Sequence, residues 1–355
     1  MIVSPFVNPC HTGKSSTQNT GKNSSALPKH ILVGYWHNWH ASPAAFLPLR
    51  EVIDHFDVIN IAFATCSELE NGKVVFVPHP TTNAKQFKSD IIYLQSLGKK
   101  VLISIGGATG STAIDSFAAQ DNFSDSVTKI VQQYGFDGID INLEGKVVLD
   151  RGDTDFKNPT SASIKYLTAA IREIRSNFGP DFILSLAPET VNVQGGFRSY
   201  EGFSGSYLPV IHELRDILTY LQVQHYNSDA LAARDHNTYS SGTADFHVAM
   251  AEMLLQGFPV QGDPMQVFPP LRPEQIVIGL AAWPDAVNGG YTAPLETKKA
   301  LNYLAMGESF GGAYRLHDSM NYVSLRGVMT WSINWDAANH HQFSNAVRSY
   351  LDALP

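Results

Sequence analysis

Two carboxyl groups and an amide recur at every second position near the middle of the chain, where residues 137–145 read Asp-Gly-Ile-Asp-Ile-Asn-Leu-Glu-Gly. Side chains in a strand alternate between its faces, so Asp140, Asn142 and Glu144 are expected on one face and the apolar residues on the other. Buried charges are costly unless they are paired or hydrogen-bonded. An amphipathic edge strand with its polar face in water is the alternative. We interpret the row as a catalytic surface on which Glu144 exchanges a proton with a reacting group.

Short β-branched runs alternate with longer segments of helical period from residue 30 onward. The predicted strands cover residues 31–36, 58–64, 100–105, 138–143, 182–187, 220–225, 276–281 and 327–331. The predicted helices cover residues 86–97, 123–134, 164–178, 208–218, 245–255, 295–306 and 342–354. Strands that are apolar on both faces, each followed by a helix, indicate a parallel sheet covered by helices. Eight such units in about 325 residues predict an α/β fold, a single-domain (β/α)8 TIM barrel over residues 30–355.

The alternative to a barrel is an open, doubly wound sheet. Such a sheet would carry a glycine-rich phosphate-binding turn after its first strand, whereas this chain reads Gly-Tyr-Trp-His at residues 34–37. The closed barrel is therefore favoured. In such a barrel, catalytic groups come from the C-terminal ends of several strands, so these ends are considered together.

Aromatic and polar side chains follow most of the predicted strands. The sequences at these ends are Tyr-Trp-His-Asn-Trp at 35–39, Ser-Ile-Gly-Gly at 104–107, Ala-Pro-Glu-Thr at 187–190, Gln-His-Tyr-Asn at 224–227, Ala-Trp-Pro-Asp at 282–285 and Met-Thr-Trp-Ser at 329–332. Each ring taken singly could serve ordinary core packing. Together, aromatic rings beside amides and hydroxyls suit a sugar, which has apolar faces and a rim of hydroxyl groups.

The composition argues against several classes of protein. The 355 residues are 44% hydrophobic and 16% charged, which is typical of a globular chain. A net charge of -8 without a run of basic residues argues against nucleic acid or an anionic membrane as partner. No apolar run approaches the length of about 18 residues that a membrane span needs. Two cysteines, Cys10 and Cys66, and thirteen histidines without metal-ligand spacing predict neither a disulfide framework nor a metal site.

The first 29 residues are rich in Ser, Thr, Asn, Gly and Lys, a composition typical of a flexible leader or linker remnant. Residues 1–7 are uncharged and contain Pro5, so they do not resemble a signal peptide. An extracellular location would therefore require a signal that has been removed or lies outside this chain.

The combined motifs resemble glycoside hydrolase family 18, specifically its chitinases. The acidic row matches the family signature DxxDxDxE at every signature position except residue 142, and Asp137 begins it. The other matching motifs are Ser-x-Gly-Gly at 104–107, Ala-Pro-Glu-Thr at 187–190, Gln-x-Tyr-Asn at 224–227 and Trp331. The resemblance covers almost all of residues 31–355 and implies a secreted, monomeric enzyme that acts on chitin or chitooligosaccharides without a cofactor.

By this resemblance, the N-acetyl carbonyl of the substrate attacks its own anomeric carbon while Glu144 protonates the leaving oxygen and later activates water. Tyr226 then donates to the acetamido oxygen, Asp140 supports residue 142, and Asp137 is structural. Partial burial and neighbouring carboxyls are expected to raise the pKa of Glu144. The predicted substrate-binding residues are Tyr35, Trp36, Gly107, Glu189, Gln224, Asn227, Trp283 and Trp331.

Asn142 departs from the signature, which has Asp at this position. The amide oxygen can still accept a hydrogen bond from the acetamido N–H, but an amide cannot carry charge or share a proton with Asp140. By analogy with the loss of an oxyanion-hole donor, about 2.7–4 kcal/mol, we expect roughly hundred-fold slower turnover. The prediction is a slow enzyme rather than a dead one.

Two other functions fit parts of this pattern. A chitin-binding lectin is one, because Asn142 departs from the catalytic signature, although Glu144, Tyr226 and Trp331 are all present. An endo-β-N-acetylglucosaminidase acting on N-glycans uses the same chemistry but resembles the motifs less.

Only about 44 residues separate Trp283 from Gly327, which leaves no room for the small α+β domain that deepens the groove of some relatives. An open groove and endo-type cleavage are therefore expected.

Overall fold

Eight parallel strands close into a barrel in the computed structural model, which describes residues 26–317 and 321–355. The strands are β1 (Ile31–His37), β2 (Val58–Cys66), β3 (Lys100–Gly106), β4 (Gly138–Asn142), β5 (Ile183–Leu186), β6 (Tyr220–Gln224), β7 (Ile276–Ala281) and β8 (Gly327–Trp331). Each strand pairs with its neighbours along the chain, and β1 pairs with both β2 and β8. The predicted (β/α)8 barrel is confirmed.

Helices follow the strands and cover the outside of the barrel. They are α1 (Ala84–Ser96), α2 (Phe117–Tyr134), α3 (Ala162–Ser176), α4 (Tyr207–Leu214), α5 (Ala244–Gln256), α6 (Pro294–Met306), α7 (Ile333–Ala338) and α8 (Gln342–Asp352), with a further short helix at Thr190–Val193. The predicted helix at 208–218 ends earlier, at Leu214. Three short pairings of two-residue strands were not predicted, because such short runs have no measurable periodicity; one of them adds Val74–Val75 to the end of β2.

The chain that leads into β4 is fixed by two helix caps. The Ser116 side chain accepts a hydrogen bond from the backbone N–H of Ala119 and begins α2. Gly135 ends the helix in the left-handed conformation, with φ of 78°, which a residue with a Cβ adopts only at a cost. At the start of β4, a Cβ on Gly138 would lie 2.2 Å from the backbone oxygen of Ile183. Glycine therefore allows β4 and β5 to pack closely.

Apolar side chains form two layers, one inside the barrel and one between the barrel and its helices. The inner cluster includes Ile31, Val33, Val58, Leu102, Ile183, Tyr220, Val277 and Met329. Ile139, Ile141 and Leu143 belong to the outer layer and are almost completely buried. The alternation predicted for β4 is therefore present, with the polar row facing inward.

The predicted leader, residues 1–29, lies outside the described residues except for its last four positions. Leu27 packs partly buried against the inner cluster. The backbone oxygen of Pro28 accepts a hydrogen bond of 2.7 Å from Arg326. The packed part of the chain thus begins slightly before the predicted boundary at residue 30.

The described helices include none that is both long and apolar enough to cross a membrane. Between β7 and β8 the described residues form α6 and connecting loops. The inserted α+β domain that the sequence argued against is therefore not seen in the described part of this segment.

Candidate active site

A cleft of about 390 Å³ opens at the C-terminal ends of the barrel strands. Its lining residues come from seven of the strand ends and the loops that follow them: Asn38, Trp39, Phe63, Thr65, Gly106, Ala108, Thr109, Asn142, Glu144, Gln224, Tyr226, Asn227, Ala286 and Trp331. This set includes six of the predicted site residues, which are Asn142, Glu144, Gln224, Tyr226, Asn227 and Trp331. Among the described residues, no group of three or more His, Cys, Asp or Glu side chains could hold a metal ion.

Asp140 lies fully buried below this cleft and accepts four hydrogen bonds. One carboxylate oxygen accepts from the hydroxyls of Tyr35 and Ser104, both at 2.6 Å. The other accepts from Ser185 and Gln222, both at 2.8 Å. The parallel register explains the first layer of this arrangement, because it sets Asp140 beside Ser104 on β3 and Ser185 on β5.

Burial and hydrogen bonding shift the pKa of Asp140 in opposite directions. Removal from water raises the pKa of this carboxyl above its usual range, while the four donors, Ser104 first, oppose the rise. Four donors directed at two oxygens favour the ionised form, because a carboxylate only accepts. Burial and the charge of Asp140 hold the pKa of Tyr35 well above its usual value, so Tyr35 remains a hydroxyl donor.

Glu144 follows β4 and is half-buried in the wall of the cleft. Burial raises the pKa of Glu144, and the negative charge of Glu189 adds to this rise. Hydrogen bonds from Gln224 and Asn142 act in the opposite direction without cancelling it. A carboxyl group whose pKa is raised in this way retains its proton at higher pH and can serve as a general acid.

Asn142 and Gln224 are joined directly beside Glu144. The side-chain nitrogen of Gln224 donates to Asn142 Oδ1 at 3.1 Å and to the backbone oxygen of Ala187 at 2.9 Å. A weaker contact of 3.4 Å joins the same nitrogen to Glu144 Oε1. Because β6 carries Gln224 and β4 carries Asn142, this contact spans β5 between them.

Tyr226 supplies a hydroxyl donor to the cleft. It is 7% exposed, and burial raises its pKa well above the usual value, with the charge of Glu144 as the second cause. The hydroxyl therefore keeps its proton. The neighbouring Asn227 holds the loop after β7, since its Oδ1 accepts from the backbone N–H of Asn288 at 2.8 Å.

Three aromatic rings form one wall of the cleft. Phe63 stacks against Trp331 with ring centroids 5.8 Å apart and against Trp39 at 6.0 Å. Behind them, the His37 ring stacks on Trp39 at 4.4 Å. Burial lowers the pKa of His37 to about 3, so this ring is neutral near neutral pH. The wall offers stacked apolar faces suited to sugar rings.

Trp36 does not reach the cleft, which corrects its predicted role in substrate binding. Its side chain is 1% exposed and belongs to the outer apolar layer, where it contacts Phe46. Its indole N–H donates to the backbone oxygen of Leu47 at 2.9 Å. Strand alternation explains this position, because Tyr35 on the same strand faces inward and adjacent residues face opposite sides.

Four other predicted residues lie near the cleft but outside its lining. Tyr35 holds Asp140 from below, and Gly107 donates its backbone N–H to the backbone oxygen of Asn142 at 2.8 Å. The negative charge of Glu189 raises the pKa of Glu144 in the cleft wall. Trp283 is half-exposed and meets Trp335 edge to face, with centroids 6.1 Å apart.

Trp39 and Phe63 were missed as site residues by the sequence analysis. Trp39 lies an even number of positions from Tyr35, so alternation would have favoured it over Trp36. Phe63 lies within the nine residues of β2, whose Phe-Ala-Thr-Cys end matches none of the motifs identified in the sequence.

Comparison with known proteins places the chain in a family. A family model described as "Glycosyl hydrolases family 18" matches residues 31–343. "Chitinase Chi52" of Paenibacillus xylanexedens is 49% identical over 340 residues, which cover 96% of this chain and 65% of that protein. "Chitinase D" of Niallia circulans is 50% identical over 346 residues, covering 97% of this chain and 66% of that protein. The chain thus spans just under two thirds of the length of these two relatives.

A solved structure gives the same result. The crystal structure of a family GH18 chitinase from Chromobacterium violaceum superposes with a TM-score of 0.84 and 37% sequence identity, covering 93% of this chain and 86% of that one. The family match runs from β1 into α8 and includes the whole acidic row of β4. This chain therefore belongs to glycosyl hydrolase family 18.

Proposed function

We propose that this chain hydrolyses β-1,4 bonds between N-acetylglucosamine units of chitin, with Glu144 as acid and base. The observation that carries the proposal is the position of Glu144, half-buried in the cleft wall next to Asn142, Gln224 and Tyr226, with its pKa raised by burial. The chitinases among the relatives support the choice of substrate.

The proposed mechanism retains configuration and uses the substrate as its own nucleophile. The carbonyl oxygen of the acetamido group attacks the anomeric carbon, and the bond to the leaving oxygen breaks as Glu144 gives that oxygen its proton. The resulting oxazolinium ion is opened by water, whose proton passes to Glu144 and restores the acid. Tyr226 donates to the acetamido oxygen, and Trp331 lies against the apolar face of the same sugar.

Two features of the cleft fit this mechanism. The hydroxyl of Tyr226 keeps its proton, so it can donate to the acetamido oxygen and orient that oxygen for attack on the anomeric carbon. No second carboxylate is needed as nucleophile, since the substrate provides one. Glu189, whose negative charge raises the pKa of Glu144, does not line the cleft.

Asn142 attenuates this activity in our proposal. In the family signature an Asp at this position carries charge next to the positively charged intermediate, and the amide does not. Losing one preorganised electrostatic contact costs about 2.7–4 kcal/mol, which corresponds to turnover slower by about a hundred-fold.

We further propose cleavage within chains. The connection between β7 and β8 is short and built from α6 and loops, and Ala286 is the one residue that it contributes to the cleft lining among the described residues. A chain of chitin can then enter sideways. The products of a soluble chitin derivative test this point: a broad range of oligomers is expected, and exclusive release of disaccharide from one chain end would contradict it.

We also propose that the protein acts outside the cell, because chitin is an insoluble polymer that cells do not import intact. We further propose that it acts as a monomer. The relatives extend beyond the matched region, so further modules could change how the whole protein meets its substrate. Size-exclusion chromatography with light scattering tests the monomer.

A chromogenic chitobiose glycoside and a glycol chitin zymogram test hydrolysis. Release of the chromophore and clearing of the gel are expected for the wild-type chain, and neither for Glu144→Gln, which keeps the shape but cannot donate a proton in the same way. Asn142 favours one other function, a chitin-binding protein without activity. Retention on chitin beads with no clearing at any enzyme concentration would support that function and contradict hydrolysis.

A further inference from the structure

Two buried histidines meet at the end of β6, where Tyr226 lies. His225 directly precedes Tyr226, and His247 lies on α5; the two side chains are 2% and 0% exposed. Their Nδ1 atoms are 3.1 Å apart, and the two ring planes differ in direction by 6°. The other ring nitrogen of His247, Nε2, lies 2.8 Å from the hydroxyl oxygen of Thr292, which is also fully buried. This histidine chain, formed by His225, His247 and Thr292, therefore joins the end of β6 to the segment after β7.

The contact between the two rings determines where their hydrogens lie. A neutral imidazole carries one N–H group, so a hydrogen bond between two Nδ1 atoms requires one ring to donate there and the other to accept. The accepting ring then carries its hydrogen on Nε2. Burial lowers the pKa of both rings, which are therefore neutral near neutral pH. Removal of any member would leave a buried polar atom without a hydrogen bond, so the histidine chain acts as a unit.

The loop after β7, residues 282–293, is also bound to the residue that follows Tyr226. The backbone N–H of Asn227 donates to the backbone oxygen of Gly289 at 3.0 Å. In return, Asn227 Oδ1 accepts from the backbone N–H of Asn288 at 2.8 Å. Asn227 has a φ of 49°, a left-handed conformation that asparagine adopts more readily than most residues. The loop is thus tied to the residue after Tyr226 by these two bonds and to the residue before Tyr226 by the histidine chain.

Gly290 brings the same loop against Tyr226 itself. A Cβ on Gly290 would lie 3.1 Å from the Cα of Tyr226 and 2.8 Å from Ser241 Oγ. Its φ of 72° lies in the left-handed region, which favours glycine. The backbone of the loop therefore packs directly on the backbone of Tyr226, two positions before Thr292. A shift of Thr292 would reach Tyr226 through this contact.

We propose that His247 is a positioning residue that holds Tyr226 in place by two routes, through His225 and through Thr292 in the loop after β7. The inference deepens the proposed function and rests on it, because Tyr226 is the donor to the acetamido oxygen there. His247 does not line the cleft, so its effect on turnover passes through another residue. A small displacement of a group that orients a reacting atom lowers the rate even when the group itself is unchanged.

Thr292→Val tests the histidine chain with the smallest change, because valine replaces the hydroxyl by a methyl group of similar size. On a chromogenic chitobiose glycoside, kcat per mole of folded enzyme should fall about three- to ten-fold, while KM changes by less than about two-fold. Thr292→Ser keeps the hydroxyl and should restore kcat. His247→Phe keeps a ring without nitrogen atoms and should reproduce the loss. The control Thr168→Val removes a buried hydroxyl that bonds to Ile164 within α3, and it should lower stability without changing kcat.

A double-mutant cycle with Tyr226→Phe shows whether the effect passes through Tyr226. Phenylalanine lacks the hydroxyl whose position the histidine chain fixes, so Thr292→Val should change kcat by less than about two-fold in this background. Equal losses with and without the Tyr226 hydroxyl would overturn the proposal. A Thr292→Val variant that unfolds more easily in urea but retains the wild-type kcat would overturn it as well.

Amide hydrogen exchange separates this inference from the proposed function, because it requires no turnover. The backbone N–H groups of Asn227 and Asn288 form the two bonds between the loop and the residue after Tyr226. In Thr292→Val both should exchange about ten-fold faster than in the wild-type chain, whereas Thr168→Val should leave them unchanged. Unchanged exchange in Thr292→Val would contradict the linkage, even if hydrolysis is observed. Faster exchange in a chain that hydrolyses no substrate would keep the linkage and reject hydrolysis.

Discussion

The hydroxyl of Tyr35 donates a 2.6 Å hydrogen bond to Asp140 across the interior of the barrel. Tyr35 was predicted to bind substrate, yet it is 1% exposed and acts one layer below the cleft. Its role is therefore to hold the carboxylate that underlies Asn142 and Glu144.

Tyr35→Phe should weaken both stability and turnover. The change removes one of four donors to a buried carboxylate, and a hydrogen bond to a charged group contributes about 1.5–3 kcal/mol. We expect the free energy of unfolding in urea to fall by about this amount and kcat to fall more than KM rises. Tyr93→Phe on the exposed side of α1 is the matched control and should change neither. Unchanged stability of Tyr35→Phe would show that this hydrogen bond is not formed in solution.

Asn142→Asp should accelerate the enzyme by about a hundred-fold, because it restores a charge next to the cationic intermediate. Turnover of a chromogenic chitobiose glycoside at substrate saturation measures the effect. Asn177→Asp, an exposed residue that follows α3, introduces the same charge far from the cleft and serves as control. If turnover does not increase in Asn142→Asp, the residue at this position does not limit the rate.

The pH dependence of kcat/KM should report the raised pKa of Glu144. The protonated form is the active acid, so activity is present below this pKa and is lost as pH rises through it. Glu189→Gln removes a negative charge that raises the pKa of Glu144, and the basic limb should therefore move to lower pH. The exposed Glu173→Gln on α3 should leave the profile in place. A shift of the Glu189→Gln profile toward higher pH would contradict the electrostatic coupling.

Trp36→Ala should lower the free energy of unfolding, whereas Trp39→Ala should raise KM. Trp36 is fully buried in the outer layer, so its removal should lower the free energy of unfolding by about 3–5 kcal/mol. Trp39 lines the cleft, and loss of an aromatic contact of about 0.5–1.5 kcal/mol should raise KM by roughly two- to ten-fold. Chemical unfolding and steady-state kinetics on both variants check this. A large KM effect in folded Trp36→Ala would reverse the assignment.

The sequence allowed the barrel, its strands and the inward polar row to be predicted, because all of these follow from periodicity along one segment at a time. Glu144, Tyr226 and Trp331 could be placed in the cleft because each lies at or just after the end of a recognisable strand. The same alternation would have excluded Trp36, because the adjacent residues Tyr35 and Trp36 must face opposite sides of β1.

Contacts that depend on several strands could not be predicted. The link from Gln224 to Asn142 requires two side chains from β6 and β4 to meet across β5. The four partners of Asp140 come from β1, β3, β5 and β6, and only the closed barrel brings them together. Sequence spacing sets which face a side chain occupies, whereas rotamers and strand register set its partner.

The four-donor shell of Asp140 also has a consequence for folding. Its donors are separated from it by up to 105 positions in sequence, with Tyr35 the most distant. A partly closed barrel that buries Asp140 without these donors would bear the cost of an unsatisfied charge. Such intermediates are therefore disfavoured, and the carboxylate makes barrel closure more nearly all-or-none.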